Sequence, residues 1–135
     1  MLLFLLFFIK CDQITFRDCK ILTRGNVVGQ ISEKITEVNI INVTTIDNCA
    51  FQYFSYIINI TLQGTISYFG SYAFSSCKGI KSISIPSSVQ SIGKGAFQEC
   101  TNLVTIDFQE TSKLTTIEDS AFSICSKLIP FTIPL

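Results

Sequence analysis

The sequence predicts an α/β repeat solenoid, a right-handed β/α superhelix with a parallel concave sheet and short convex helices, and two observations carry that prediction. The first is an Ala-Phe pair that recurs at Ala50-Phe51, Ala73-Phe74, Ala96-Phe97 and Ala121-Phe122, spaced 23, 23 and 25 residues apart. The second is an apolar frame in phase with it. Ile46, Phe69, Ile92 and Ile117 stand four residues before each Ala, and Phe54, Cys77, Cys100 and Cys125 stand three after each Phe. Ile57, Ile80, Leu103 and Leu128 come three further on. Alternating pairs follow: Ile60 and Leu62, Ile83 and Ile85, Ile106 and Phe108, Phe131 and Ile133. Self-similarity at a fixed period of this length marks stacked supersecondary units.

Each element follows from that frame. Two apolar residues separated by one polar residue are a short strand with both apolar side chains on one face. The Ala-Phe pair, the Cys and the next Leu or Ile have i, i+3 and i+4 spacings, which predict a one- or two-turn helix or 3₁₀ segment. Neither element buries its apolar face alone, so neighbouring units stack strand beside strand. At this period the geometry is that of a leucine-rich repeat, with strands about 4.8 Å apart. Pro86 and Pro134 sit just beyond their strand pairs and terminate them. The two extra residues before Ala121 fall in the polar stretch 109–113, which reads as a loop insertion. Ile35, Val38 and Ile40 fit the end of the unit, so the array spans residues 35–135 as a half-repeat plus four units, with five strands and four helical corners.

Residues 12–34 read as an amino-terminal cap, in which two apolar segments around Gly25-Asn26 predict a hairpin covering the first strand. Residues 1–11 contain the eight-residue apolar run Leu2–Ile9 followed by Lys10 and Cys11. The run is too short to span a bilayer and suits a signal-peptide core, although it has neither a basic leader nor an Ala-x-Ala cleavage site. The alternative is a first buried strand. The location is accordingly extracellular or at the cell surface if the run is a signal, and cytoplasmic if it is not.

Composition narrows the function classes. The 135 residues carry ten Lys and Arg against ten Asp and Glu, no His, and 47% hydrophobic residues against 15% charged ones. Without a basic cluster the electrostatic term for nucleic-acid binding or docking on an acidic membrane is missing. Without His, Ser-His-Asp and Cys-His catalysis and His-containing zinc sites are excluded. Fifteen Ser and thirteen Thr supply the polar surface instead. The carboxylates are scattered, and nothing sets a second one beside Asp107 at the separation of about 5 to 9.5 Å that a glycosidase pair needs. No enzyme activity, cofactor or metal site is expected.

Six Cys are present. Cys77, Cys100 and Cys125 hold equivalent positions, so stacking brings their Cα atoms to about 5 Å. A ladder of buried thiols is the favoured reading and a disulfide the alternative. Cys11 and Cys19 leave a further pairing open.

The stretch Ile85–Leu103, IPSSVQSIGKGAFQECTNL, resembles the BspA-like leucine-rich repeat, and Ser112–Leu128, SKLTTIEDSAFSICSKL, is similar to another variant of the same unit. The resemblance covers about residues 35–135. It weakens at Ile46–Leu62, where Phe54 replaces the Cys, and does not reach 1–34. It implies a curved, non-enzymatic solenoid of the kind found in surface proteins of host-associated bacteria and expanded in a parasitic flagellate protist, whose members act as adhesins and surface antigens. Longer members carry a carboxy-terminal membrane segment, from which this sequence departs by stopping at Leu135.

If the strand pairs point inward, the residues between them form an outward ladder on the concave face: Asn39, Thr61, Ser84, Asp107 and Thr132. Glu37, Asn59, Gln63, Ser82, Thr105 and Gln109 flank it. This polar strip is the expected ligand surface for a protein of the host surface or extracellular matrix. The plainer alternative is hydroxyl residues that merely satisfy strand propensity. Sequons make Asn42 and Asn59 candidate glycosylation sites on a secretory route. The strand Phe131–Ile133 leaves an apolar end and an open edge, so self-association through that end without a specific ligand is the alternative function.

Overall fold

In the computed structural model, which describes residues 9–10 and 13–134, the apolar frame closes into stacked turns built on two rows of parallel strands, one long and one short. The long strands are β2 (Gln13–Arg17), β4 (Glu37–Ile41), β6 (Asn59–Gln63), β8 (Ser82–Ile85) and β10 (Thr105–Phe108). Inward pairs Ile14/Phe16, Val38/Ile40, Ile60/Leu62, Ile83/Ile85 and Ile106/Phe108 are all buried, as period-two alternation requires. The second ladder consists of two-residue strands, β3 (Ile21–Leu22), β5 (Thr45–Ile46), β7 (Tyr68–Phe69), β9 (Ser91–Ile92) and β11 (Thr116–Ile117), all parallel. A short β1 (Ile9–Lys10) runs antiparallel to β2. The signal-peptide reading of residues 1–11 lies almost wholly outside the described residues.

The short convex helices expected at the corners do not form. The segments around each Ala-Phe pair are chains of turns, and the α-helix among the described residues is α1 (Arg24–Val28). The reason is the backbone beside each pair: Cys49 and Tyr53, Tyr72 and Ser76, Gly95 and Glu99, Ser120 and Ile124 all have φ between 57° and 70°. A left-handed residue cannot continue a right-handed helix. Each corner keeps i→i+3 bonds, such as Ala73 N–H to the Gly70 carbonyl at 3.2 Å, while other N–H groups reach sideways to the next unit. The helix-like spacing therefore came from successive tight turns.

Two further expectations change. Residues 24–28 form α1 rather than a hairpin, because Thr23 is an N-cap whose Oγ1 accepts from Asn26 N–H while Asn26 Oδ1 accepts from Thr23 N–H, a reciprocal capping box. β2 pairs in parallel with β4, with Ile14 beside Val38 and Phe16 beside Ile40, so the segment preceding Ile35 is itself a turn of the solenoid. At the other end, residues 129–134 run beside β10 without forming a strand. Pro130 and Pro134 bracket Phe131–Ile133, and neither has an N–H for a ladder. Contacts there reduce to bonds such as Ile129 N–H to the Val104 carbonyl at 3.0 Å.

The core is an aromatic column. Phe51, Phe74, Phe97 and Phe122 stack at 5.3, 5.2 and 5.4 Å with near-parallel rings, and Phe69 packs edge-on against both Phe74 and Phe97. Beside it the Cys77, Cys100 and Cys125 thiols donate to the Phe51, Phe74 and Phe97 carbonyls at 3.0, 3.2 and 3.1 Å. The three are free thiols, each serving a carbonyl of the preceding unit. Burial pushes Cys77 well above the ordinary thiol value and Cys100 up to about 12, and raises Cys19 and Cys125 as well. A pKa raised by folding stabilises the chain fully below the unfolded value near 9 and loses that contribution as pH rises toward the folded value. Denaturant titrations are therefore expected to show flat stability up to about pH 9 and a steep decline toward pH 12. A thiol reagent at about pH 8 should leave Cys77 and Cys100 unmodified until the chain unfolds.

Candidate functional site

The long strands place the polar ladder where alternation requires. Asn39 lies on β4, Thr61 on β6, Ser84 on β8 and Asp107 on β10, with Thr61, Ser84 and Asp107 exposed and Asn39 half-buried. Register pairs Asn39 with Thr61 and Ser84 with Asp107. Thr132 is exposed but lies in no strand, so it does not extend the ladder in register. Thr15 on β2 does extend it at the other end, pairing with Asn39. Its signal was present as the Ile14-x-Phe16 alternation one period before Val38-x-Ile40, hidden by the reading of residues 12–34 as a cap.

The strip is not continuous. β6 ends the sheet that contains β2 and β4, while β8 and β10 form a separate pair, and no ladder joins β6 to β8. A groove of about 380 Å³ opens at this division, lined by Gln13, Glu37, Asn39, Asn59, Thr61, Ser82 and Ser84 with Ile60 and Ile83 at its floor. Glu37 sits between two amides: Gln13 Nε2 donates to its Oε2 at 3.3 Å and Asn59 Nδ2 to its Oε1 at 3.5 Å. Asn39 Nδ2 donates to Thr15 Oγ1 at 3.4 Å, and Ser84 Oγ to Asp107 Oδ2 at 3.5 Å. These long side-chain bonds leave hydroxyls and amides with spare capacity toward a ligand. A second recess of about 400 Å³ lies between β10 and residues 129–134, and both Asp107 and Thr132 line it beside Phe108 and Phe131.

Both sequon residues are exposed. Asn42 Nδ2 donates to Asp18 Oδ1 at 3.1 Å from a left-handed backbone with φ 56°, whereas Asn59 faces the groove. Among the described residues no group of three or more Cys, Asp or Glu is arranged to hold a metal ion, and no helix is long and apolar enough to cross a membrane. The arrangement offers hydrogen bonds and two separated carboxylates across an open face. That chemistry suits recognition of an extended surface.

Comparison with known proteins agrees with the geometry. The model of the BspA type leucine rich repeat region matches residues 30–135 in six copies. No curated protein matches the sequence. Among solved structures, a leucine-rich repeat protein from Bacteroides ovatus ATCC 8483 is similar at TM-score 0.64 and 28% identity, covering 70% of this chain and 24% of its own. A leucine rich cell surface protein from Faecalibacterium prausnitzii A2-165 aligns at TM-score 0.49 and 18% identity over 91% of this chain and 51% of its own. The chain thus spans about a quarter of the first protein and about half of the second. With the family model covering most of the sequence and the parallel ladders repeating at its period, the chain belongs to the BspA-type leucine-rich repeat family.

Proposed function

We propose that the chain is a non-enzymatic protein-binding module, secreted or surface-exposed, that contacts a host surface or extracellular-matrix protein through the long-strand face. The observation that carries this reading is the polar strip Asn39, Thr61, Ser84 and Asp107, opened between β6 and β8 into a groove with Glu37 and Asn59 at its rim. A broad face of amides and hydroxyls with few charges forms many modest hydrogen bonds, which is how an extended protein surface is recognised without a deep pocket. Thr132, beside Asp107 in the terminal recess, extends the same surface. The apolar run at residues 2–9 supports export through a signal peptide. On a secretory route Asn59 would carry a glycan across the groove and Asn42 one at its margin.

Large charged side chains test the face directly. Thr61→Arg combined with Ser84→Arg is expected to weaken binding to cells or matrix proteins by about tenfold or more, because both positions are exposed and a bulky cation desolvated without a partner is costly. Circular dichroism should show an unchanged fold. Undiminished binding by a correctly folded double variant would remove the long-strand face from consideration.

A further inference from the structure

The opening between β6 and β8 is a break in an otherwise regular pairing. Ile58 and Asn59 N–H groups both donate to the Thr36 carbonyl, at 2.8 and 3.1 Å, and those of Val104 and Thr105 to the Lys81 carbonyl, at 2.8 and 3.4 Å. Among the described residues no such bond joins Lys81 or Ser82 to the Ile58 carbonyl. Both strands still turn their apolar residues inward, so buried Ile60 and Ile83 form a floor while Asn59, Thr61, Ser82 and Ser84 stand exposed beside it. The result is a groove with an apolar bottom and a polar rim in the middle of the long-strand face.

Hydrogen-bond accounting fixes the character of that rim. An ionised glutamate only accepts, so the amides beside Glu37 must each turn an NH2 end to it, Gln13 through Nε2 at 3.3 Å and Asn59 through Nδ2 at 3.5 Å. Their oxygens, Gln13 Oε1 and Asn59 Oδ1, are the free ends, and among the described residues nothing donates to either. Asn39 commits its Nδ2 to Thr15 Oγ1, and Ser84 commits its hydroxyl proton to Asp107 Oδ2. What remains for a ligand is therefore predominantly oxygen, to which Thr61 and Ser82 add hydroxyls that accept as readily as they donate. No Lys or Arg lines the groove, and among the described residues no cation pairs with Glu37. A carboxylate ringed by acceptors and lacking a counter-charge calls for a cationic donor.

We propose that this groove is a subsite for an arginine side chain projecting from the protein bound on the long-strand face, an inference that rests on the reading of that face as protein-binding. A guanidinium is planar, donates only, and makes paired bonds to a carboxylate. Its forked N–H groups can engage Glu37 and an amide oxygen together. A lysine ammonium is a compact, strongly hydrated point charge that meets fewer of these acceptors and gives up its water less readily. The aliphatic stem of the arginine covers Ile60 and Ile83, the apolar floor. An acidic side chain is rejected, because it would set a second carboxylate against Glu37 among oxygens. Asp107, on β10 outside the groove, takes no part.

The test titrates the full chain with N-acetyl-arginine methylamide and follows side-chain amide and methyl resonances by NMR. A glycan on Asn59 would stand at this rim, so the chain is produced without glycosylation. Saturable shifts are expected at Gln13, Asn59, Ile60 and Ile83 at millimolar probe. The citrulline analogue, planar and of equal length but uncharged, should bind about tenfold more weakly, and the lysine analogue should fall between the two. Glu37→Gln keeps the shape of the side chain and should weaken the arginine probe by about tenfold with an unchanged circular dichroism spectrum, whereas Asp107→Asn should leave it within about twofold. The comparison of the three probes needs no variant, so it decides the matter even if Glu37→Gln misfolds. Equal binding of the citrulline and arginine probes, shifts confined to residues outside the groove, or full binding by folded Glu37→Gln would overturn the proposal. These probes read the groove, while the Thr61→Arg, Ser84→Arg double variant reads the whole face, so either conclusion can fail without the other.

Discussion

Replacing Phe74 with alanine is expected to destabilise the chain by about 3–5 kcal/mol, the range for removing a large aromatic from a packed core. Phe74 is fully buried, stacks on Phe51 at 5.3 Å and on Phe97 at 5.2 Å, and receives the edge of Phe69 at 5.7 Å. Its carbonyl also accepts from Cys100 and its N–H donates to Ala96. In a solenoid, units are coupled chiefly to their neighbours, so a void in the middle of the column weakens both interfaces it joins. Urea unfolding should therefore lose cooperativity as well as stability. Phe122→Ala is the informative comparison, because that ring has a stacking partner in Phe97 on one face only and is half-buried. Its cost should fall well below that of Phe74→Ala. Equal costs at the two positions would show that the column does not carry the coupling between units.

The second large effect is expected at Gly70. A Cβ there would sit 2.5 Å from Asn48 N and 2.6 Å from the Asp47 carbonyl carbon, both backbone atoms that cannot swing aside. It would also press on Asn48 Oδ1, which accepts the Ser71 N–H at 2.7 Å. Gly70→Ala should cost about 3 kcal/mol, at the upper end of overpacking effects, and should raise the exchange rate of the Ser71 amide. Gly29→Ala is the matched control. A Cβ at Gly29 meets nothing within 4 Å and its φ of −78° suits alanine, so the change should fall within about 0.5 kcal/mol.

Much of the architecture was legible because apolar periodicity is a direct record of which side chains face inward. The Ala-Phe spacing and the alternating pairs located β4, β6, β8 and β10, and with them the outward residues Asn39, Thr61, Ser84 and Asp107, while the second ladder of two-residue strands around Ile46, Phe69 and Ile92 was not foreseen. What periodicity does not encode is backbone bonding direction. An i, i+3, i+4 pattern is common to a helix and to successive tight turns, and only the left-handed residues such as Tyr72 and Ser76, neither of them glycine, separate the two. The same limit hid the division between β6 and β8, because Asn59–Leu62 and Ser82–Ile85 keep the apolar pattern while losing the ladder. Elsewhere the signal was local and outweighed a familiar one. Gly25-Asn26 reads as a hairpin turn, yet Thr23 three residues before Asn26 makes the pair part of a capped helix. Phe131-x-Ile133 has strand alternation, yet the proline on each side denies it a ladder.

The long-strand face is the part of this account on which function depends, and a photo-reactive amino acid tests it most directly. It would replace Thr61 at the groove in one protein and Tyr53, 66% exposed on the corner side, in another. After irradiation on host cells or matrix, the proposed function requires a discrete protein crosslink from position 61 and none from position 53. A crosslink from position 53 alone would place the contact on the corners and contradict the account.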